Sequence, residues 1–227
     1  MQRRLTTHVF APPDRSRAPS SPSPGWVIRL YEAADEVYWA AKLNALWALG
    51  TLAGAVLFGV GPATVAAYTV ARRHALGESF PAVPAFLAAY RREIVRGTAV
   101  LLPVLGVSVF LVSNYFLFVA EDMAGARVLT LLALAVLVTV TAYLLPMAVH
   151  YDLRAWALFP KASLFALTRP ASSVLLLFVF TVVAYVSMLY PFLLLVVSVG
   201  GWIQLDTWLC LRFFAENEAR LRAERIS

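Results

Sequence analysis

From Leu43 to Ala71 the chain runs twenty-nine residues without a formal charge, with Gly59-Val60-Gly61-Pro62-Ala63-Thr64 near its middle and Arg72-Arg73 at its end. About twenty apolar residues cross roughly 30 Å of hydrocarbon, so the stretch is too long for one ordinary membrane helix and too short for two. It places the chain in a bilayer and predicts an irregularity at Gly61-Pro62. The fold class that follows is all-α: a polytopic transmembrane bundle of about five membrane helices, the first broken at Gly61-Pro62, with amphipathic interfacial helices beside them.

Further charge-free runs occupy Thr98–Ala120, Val128–Val149 and Pro170–Leu205. The last is long enough, continued through Asp206 to Leu211, for two spans, and Tyr190-Pro191 is the natural corner because proline lacks a backbone donor and disfavours helix at the residue before it. Spans are expected at about 98–120, 127–149, 170–189 and 192–212, plus the irregular element at about 37–71. Strands are excluded by apolar runs that are continuous rather than alternating. With 61% apolar and 14% charged residues among 227, one membrane domain over 26–215 is the natural partition. The Pro/Ser/Arg-rich residues 1–25 read as a disordered tail and 216–227 as a charged C-terminal tail.

The net charge of +6 comes from seventeen Arg and two Lys. They gather in the terminal segments and two loops, where positive charge flanks the cytoplasmic ends of helices, so the composition argues for a bilayer surface and against nucleic acid. The 72–97 loop holds Arg72, Arg73, Arg91, Arg92 and Arg96, the 151–169 loop Arg154, Lys161 and Arg169, and the C-terminus Arg212, Arg220, Arg222 and Arg225. All three are expected in the cytoplasm, and the protein in a bacterial plasma membrane. Two topologies stay open. Five spans leave the basic N-terminal flank outside, against the charge rule, whereas four spans with a re-entrant hairpin put it inside. Length opposes the hairpin, because Pro62–Ala71 covers only about 15 Å as helix.

Two segments read as helices that do not span. Residues 26–41 follow Pro24-Gly25 and carry Glu32, Asp35 and Glu36. Residues 80–97 place Val83, Phe86, Leu87, Tyr90 and Ile94 on one face, suited to the interface, with Arg92 and Arg96 elsewhere.

The order Asn44-x-x-Trp47, a glycine-rich run, Gly61-Pro62-Ala63-Thr64-x-Ala66-Ala67-Tyr68, paired basics, Gly77-Glu78 and Phe86…Tyr90-Arg91-Arg92…Arg96-Gly97 resembles the bacterial YesL family of small multi-pass membrane proteins of unassigned function. The resemblance covers about 26–215 and is densest over 44–97. It implies a setting beside ABC-class carbohydrate importers and polysaccharide-degrading enzymes, an association rather than a mechanism. The long Pro/Ser/Arg-rich tail departs from the family pattern.

Chemistry is sparse. No Gly-x-x-x-x-Gly-Lys-Ser/Thr loop occurs, and Glu32-Ala33-Ala34 lacks the glycine that an ABC permease loop would carry, since Tyr38 stands there. His8, His74 and His150 make no catalytic set with a nucleophile, the His150-Tyr151-Asp152 cluster offers too few ligands for a metal, and the single Cys210 excludes an internal disulfide. No cofactor is expected. Asp206 falls some fourteen residues into the last span, where an acid must face protein, pair with a cation such as Arg212 or Arg169, or shift its pKa. Asn44, Trp47 and Thr51 share a helical face, and Thr64 and Tyr68 another. The motif Asn44, Trp47, Gly61, Pro62, Thr64, Tyr68 and Asp206 is thus the candidate site, for packing or for a ligand. The expected function is non-enzymatic: an accessory or regulatory partner of a carbohydrate importer of the ABC class. The alternative is a small solute transporter or channel, which would show a polar cavity reached by Asn44, Thr64, Asn114, Gln204 or Asp206.

Overall fold

The computed structural model describes residues 25–151 and 155–226, with backbone alone for 155, 217–221 and 223–226. The expectations for 1–24, including His8, and for Asp152 and Arg154 lie outside the described residues. The chain divides into a unit that ends at Asp35 and one that begins at Glu36.

Every described element is a helix: α1 (Gly25–Ala53), α2 (Val60–Ala75), α3 (Ala82–Arg92), α4 (Ile94–Ala120), α5 (Ala124–His150), α6 (Ala155–Thr168), α7 (Pro170–Leu189) and α8 (Val199–Ile226), the last entered through a π-helical turn at Leu194–Ser198. Four are long and apolar enough to cross a membrane: Ile94–Ala120, Ala124–His150, Pro170–Leu189 and Leu194–Glu216. These match the four later spans read from the charge-free runs. The corner between the last two falls at Tyr190-Pro191, and Pro170 opens α7 at a position where its missing donor costs nothing. The outward surfaces of the spans are apolar, for example Phe110, Phe116, Phe178 and Leu195, as contact with lipid requires.

The first element differs from expectation. The helix is not broken at Gly61-Pro62 but at 54–59, and Gly61 and Pro62 lie in the first turn of α2, where proline removes a donor that has no intrahelical partner. The reversal is tight. Val56 N donates to Thr51 O at 2.9 Å, and Ala55 and Val56 adopt left-handed φ of 52° and 64°, a conformation costly for a β-branched residue. Gly54 and Gly59 meet inside the turn, and a Cβ on Gly59 would overlap the Thr51 carbonyl.

Beyond the turn α2 runs back along α1. Trp47 faces Thr64, and the rings of Trp39 and His74 stack at 4.1 Å. The two helices form a hairpin, so the length objection fails: α2 continues through Arg72-Arg73-His74 to Ala75, and its sixteen residues reach about 24 Å. Arginine is a good helix former, and a basic pair does not end a helix where its side chains can reach water.

α2 is the centre of the molecule. Ala63, Ala66, Ala67, Val70 and Ala71 are buried, and the helix packs on α3, α4, α5 and α8. Small side chains let backbones approach closely. Gly61 lies against Gly97 of α4 so tightly that a Cβ would come within 2.7 Å of the Gly97 carbonyl oxygen.

Other expectations are corrected. Residues 26–41 are not a separate helix, since α1 is continuous from Gly25 to Ala53. The 80–97 segment breaks at Glu93, so Ile94 belongs to α4. Of the expected face Phe86 is buried and Tyr90 packs on the core, joined by Ala82 and Ala89, whereas Val83 and Leu87 are exposed; the Phe86 ring fits against Gly50 of α1, where a Cβ would come within 3.0 Å of it. The 151–169 loop contains α6, whose Leu158 and Ala162 are buried. The C-terminal segment 216–226 continues α8.

Candidate functional site

The hairpin is fixed by three polar contacts, each made by residues the sequence singles out. Trp47 Nε1 donates to Thr64 Oγ1 at 3.0 Å, and the Thr64 hydroxyl donates to Val60 O at 2.6 Å, back into its own helix. This contact closes α1 on α2.

The second contact joins α1 to the π-helical turn. Asn44, 1% exposed, donates through Nδ2 to the carbonyls of Leu194 and Leu195 at 3.1 and 2.7 Å. Its Oδ1 accepts the N–H groups of Val199 and Gly200 at 3.1 and 3.0 Å. A side-chain amide carries the donor and acceptor of a peptide unit, and here it spans a helical turn opened by one extra residue. The approach demands Gly200, because a Cβ there would overlap the Ala40 carbonyl.

The third contact joins α2 to α8 in the bundle interior. Tyr68 Oη donates to Asp206 Oδ2 at 2.6 Å. Asp206 is 0% exposed, and Cys210 Sγ, one turn on, lies 3.7 Å from Oδ1 and 3.6 Å from the Ala142 carbonyl oxygen. The acid therefore faces protein, as expected, and of the possible partners it meets a phenol and a thiol, not Arg212 or Arg169. Arg212 instead stacks over Trp208 at 3.6 Å, and Arg169 donates to the Phe213 carbonyl at 3.4 Å.

The motif residues are thus brought to one assembly, but not to one cavity. Asn44 faces α8, Trp47 faces α2, and Gly61 and Pro62 lie against α4. Asn114 donates only within its own helix, to Phe110 O, and Gln204 is on the outer side of α8. Of the basic residues, Arg73 pairs with Glu78 at 2.6 Å and covers the Phe80 ring, Arg72 is half-buried, and Arg91 and Arg92 are exposed.

Glu93 was not legible as a site. It is 3% exposed at the α3–α4 break, 3.3 Å from Arg96 and 3.2 Å from Arg92, while Arg96 also donates to the Ala148 carbonyl. The signal available was the three-residue spacing from Glu93 to Arg96, a helical neighbour pair.

On the outer side, a groove of about 550 Å³ runs between α1, α2 and α8, lined by Glu36, His74, Gln204, Leu205 and Trp208 among others. Glu36 accepts a hydrogen bond from Gln204 Nε2 and lies 3.7 Å from His74 Nε2.

Four long apolar helices packed with a helical hairpin whose second helix is buried define a polytopic α-helical membrane protein. Comparison with known sequences gives the family. Residues 40–115 match the family described as "Protein of unknown function, DUF624". The "Uncharacterized protein YesV" of Bacillus subtilis (strain 168) is 34% identical over 148 residues, 63% of this chain and 71% of that protein. The "Uncharacterized protein YesL" of the same organism is 29% identical over 152 residues, 66% and 68% of the two chains. The chain belongs to this YesL-like family of unassigned function. No solved structure matches it.

Proposed function

We propose that the protein acts without catalysing a reaction, as an accessory or regulatory partner of a carbohydrate importer of the ABC class in a bacterial plasma membrane, with its C-terminus in the cytoplasm. The observation that carries the non-transporting half is the pairing of interior polar groups with one another: Asn44 with the α8 backbone, Trp47 with Thr64, Tyr68 with Asp206. A solute pathway needs polar groups turned toward a shared aqueous space, and these are consumed by packing. The importer is suggested by the setting of the YesL family alone.

Two experiments separate this from a transporter acting alone. Cross-linking and affinity purification from native membranes is expected to recover importer subunits. Proteoliposomes containing the purified protein by itself are expected to show no sugar flux above empty vesicles, and flux from the protein alone overturns the reading.

A further inference from the structure

The groove between α1, α2 and α8 has two features that packing does not explain. The first is Gly201. Its neighbour Gly200 must be glycine because Ala40 presses on it, but a Cβ on Gly201 would meet only Val197 Cγ2 at 3.8 Å. A glycine inside a helix costs about 1 kcal/mol relative to alanine, and what this one does is leave the groove wall open where Gly201 lines it. The second is a surplus of acceptors at one end. Gln204 gives its amide N–H to Glu36, so its Oε1 is left buried and without a hydrogen-bond partner. The Glu36 carboxylate offers more acceptor sites than Gln204 and His74 use, and its side chain is 59% exposed at the groove mouth.

The remaining wall is apolar: Val37, Ala40, Val197 and Leu205. It flanks α8, one of the four helices long enough to span, so in a bilayer the groove opens toward lipid. An occupant must therefore offer hydrocarbon to the wall and a hydrogen-donating, positively charged group to Glu36 and Gln204. We infer that this groove is a binding site for a phospholipid bearing a primary ammonium headgroup, its ammonium held by Glu36 and Gln204 and one acyl chain lying over Gly201. The site is independent of any importer partnership.

The test is native mass spectrometry of the purified full-length protein titrated with phosphatidylethanolamine, phosphatidylcholine and phosphatidylglycerol of identical acyl chains. A hydrogen bond between charged groups contributes enough that phosphatidylethanolamine should bind about tenfold more tightly than the other two. Glu36→Gln should abolish that preference, and Gly201→Leu, whose side chain enters the groove, should reduce binding of all three. Glu36 is exposed, so its variant is expected to keep the wild-type circular dichroism melt and decides the question even where Gly201→Leu misfolds. Equal affinity for the ethanolamine and choline lipids, or an unchanged preference in Glu36→Gln, overturns the headgroup assignment. Displacement of the lipid by millimolar free ethanolamine overturns the lipid assignment in favour of a soluble amine.

Discussion

Asn44→Leu is the substitution with the largest consequence for its size. The side chains are similar in volume, so little cavity is created, but four hydrogen bonds to Leu194, Leu195, Val199 and Gly200 disappear together. A net hydrogen bond contributes about 1 kcal/mol, and a buried group left without a partner costs about 1–3 kcal/mol. The lower figure applies where a π-turn group keeps a second, backbone partner, so about 4 kcal/mol is a conservative sum. That exceeds the common range for single substitutions. Asn44→Asp separates the two halves of the contact: it keeps an acceptor for the two N–H groups but sets a carboxylate oxygen against two carbonyls, and should be no milder than Asn44→Leu. The internal control is Asn114→Leu, which removes one bond within a single helix at a partly exposed position and should change stability by less than about 1 kcal/mol. Equilibrium unfolding in mixed detergent micelles, followed by tryptophan fluorescence, measures all three. If Asn44→Leu falls within 1 kcal/mol of Asn114→Leu, the π-turn does not depend on Asn44 and the reasoning fails.

Asp206→Asn keeps an acceptor for Tyr68 and should be mild, whereas Tyr68→Phe removes a bond at a fully buried acid and should cost about 1–3 kcal/mol in the same assay; a neutral Tyr68→Phe would show that the contact is incidental. Gly61→Ala should destabilise by about 1–3 kcal/mol through overpacking against the α4 backbone, while Gly106→Ala, with nothing within 4 Å of its added Cβ, should be neutral or slightly stabilising; Gly59→Ala offers no mild control, because its Cβ meets the Thr51 carbonyl. Single cysteines at Ser79 and Ser163 should resist an impermeant thiol reagent in intact cells and a cysteine at Asp122, whose side chain is 94% exposed, should react, since the 72–97 and 151–169 loops and the C-terminus carry twelve Arg and Lys against the single Arg127 in the 121–127 segment; labelling at Ser79 or Ser163 refutes the proposed orientation.

The four spans were readable because hydrocarbon imposes a length and forbids charge, and both constraints are written directly in the order of residues. Tyr190-Pro191 was readable for the same kind of local reason, a missing donor. What the sequence left open was which distant partner each polar residue meets. Tyr68 and Asp206 are 138 residues apart, and span arithmetic gives a depth for the acid but says nothing of which donor waits there. The π-turn leaves no composition signal, since Leu194–Ser198 is ordinary aliphatic sequence; only Asn44, 150 residues upstream, makes the turn satisfiable. The Gly61-Pro62 pair misled because a proline after glycine looks like a break, whereas in the first turn of a helix it is well tolerated. Arg72-Arg73 misled in the other direction, since a basic pair reads as the end of a segment that continues for another half turn.

The matched family region, 40–115, is not the most hydrophobic part of the molecule. It consists of the packed part of the hairpin, α3 and most of α4. A hairpin of this kind could not rest in lipid unaccompanied: α2 ends in Arg72, Arg73 and His74, its turn holds two residues in left-handed conformations, and hydrocarbon offers no partners for irregular backbone. The later spans supply the missing surroundings. Their inner faces enclose the alanines of α2, Asp206 of α8 receives Tyr68, and the opened turn before α8 receives Asn44. The opened turn before α8 leaves backbone groups that a plain helix would pair, and the docked hairpin brings Asn44 to satisfy them, whereas the α1–α2 turn pairs its own backbone groups. The seating of the hairpin against α8 therefore rests on Asn44 and on the Tyr68–Asp206 hydrogen bond. It also accounts for the contacts that Asn44, Trp47, Thr64 and Tyr68 make within the protein.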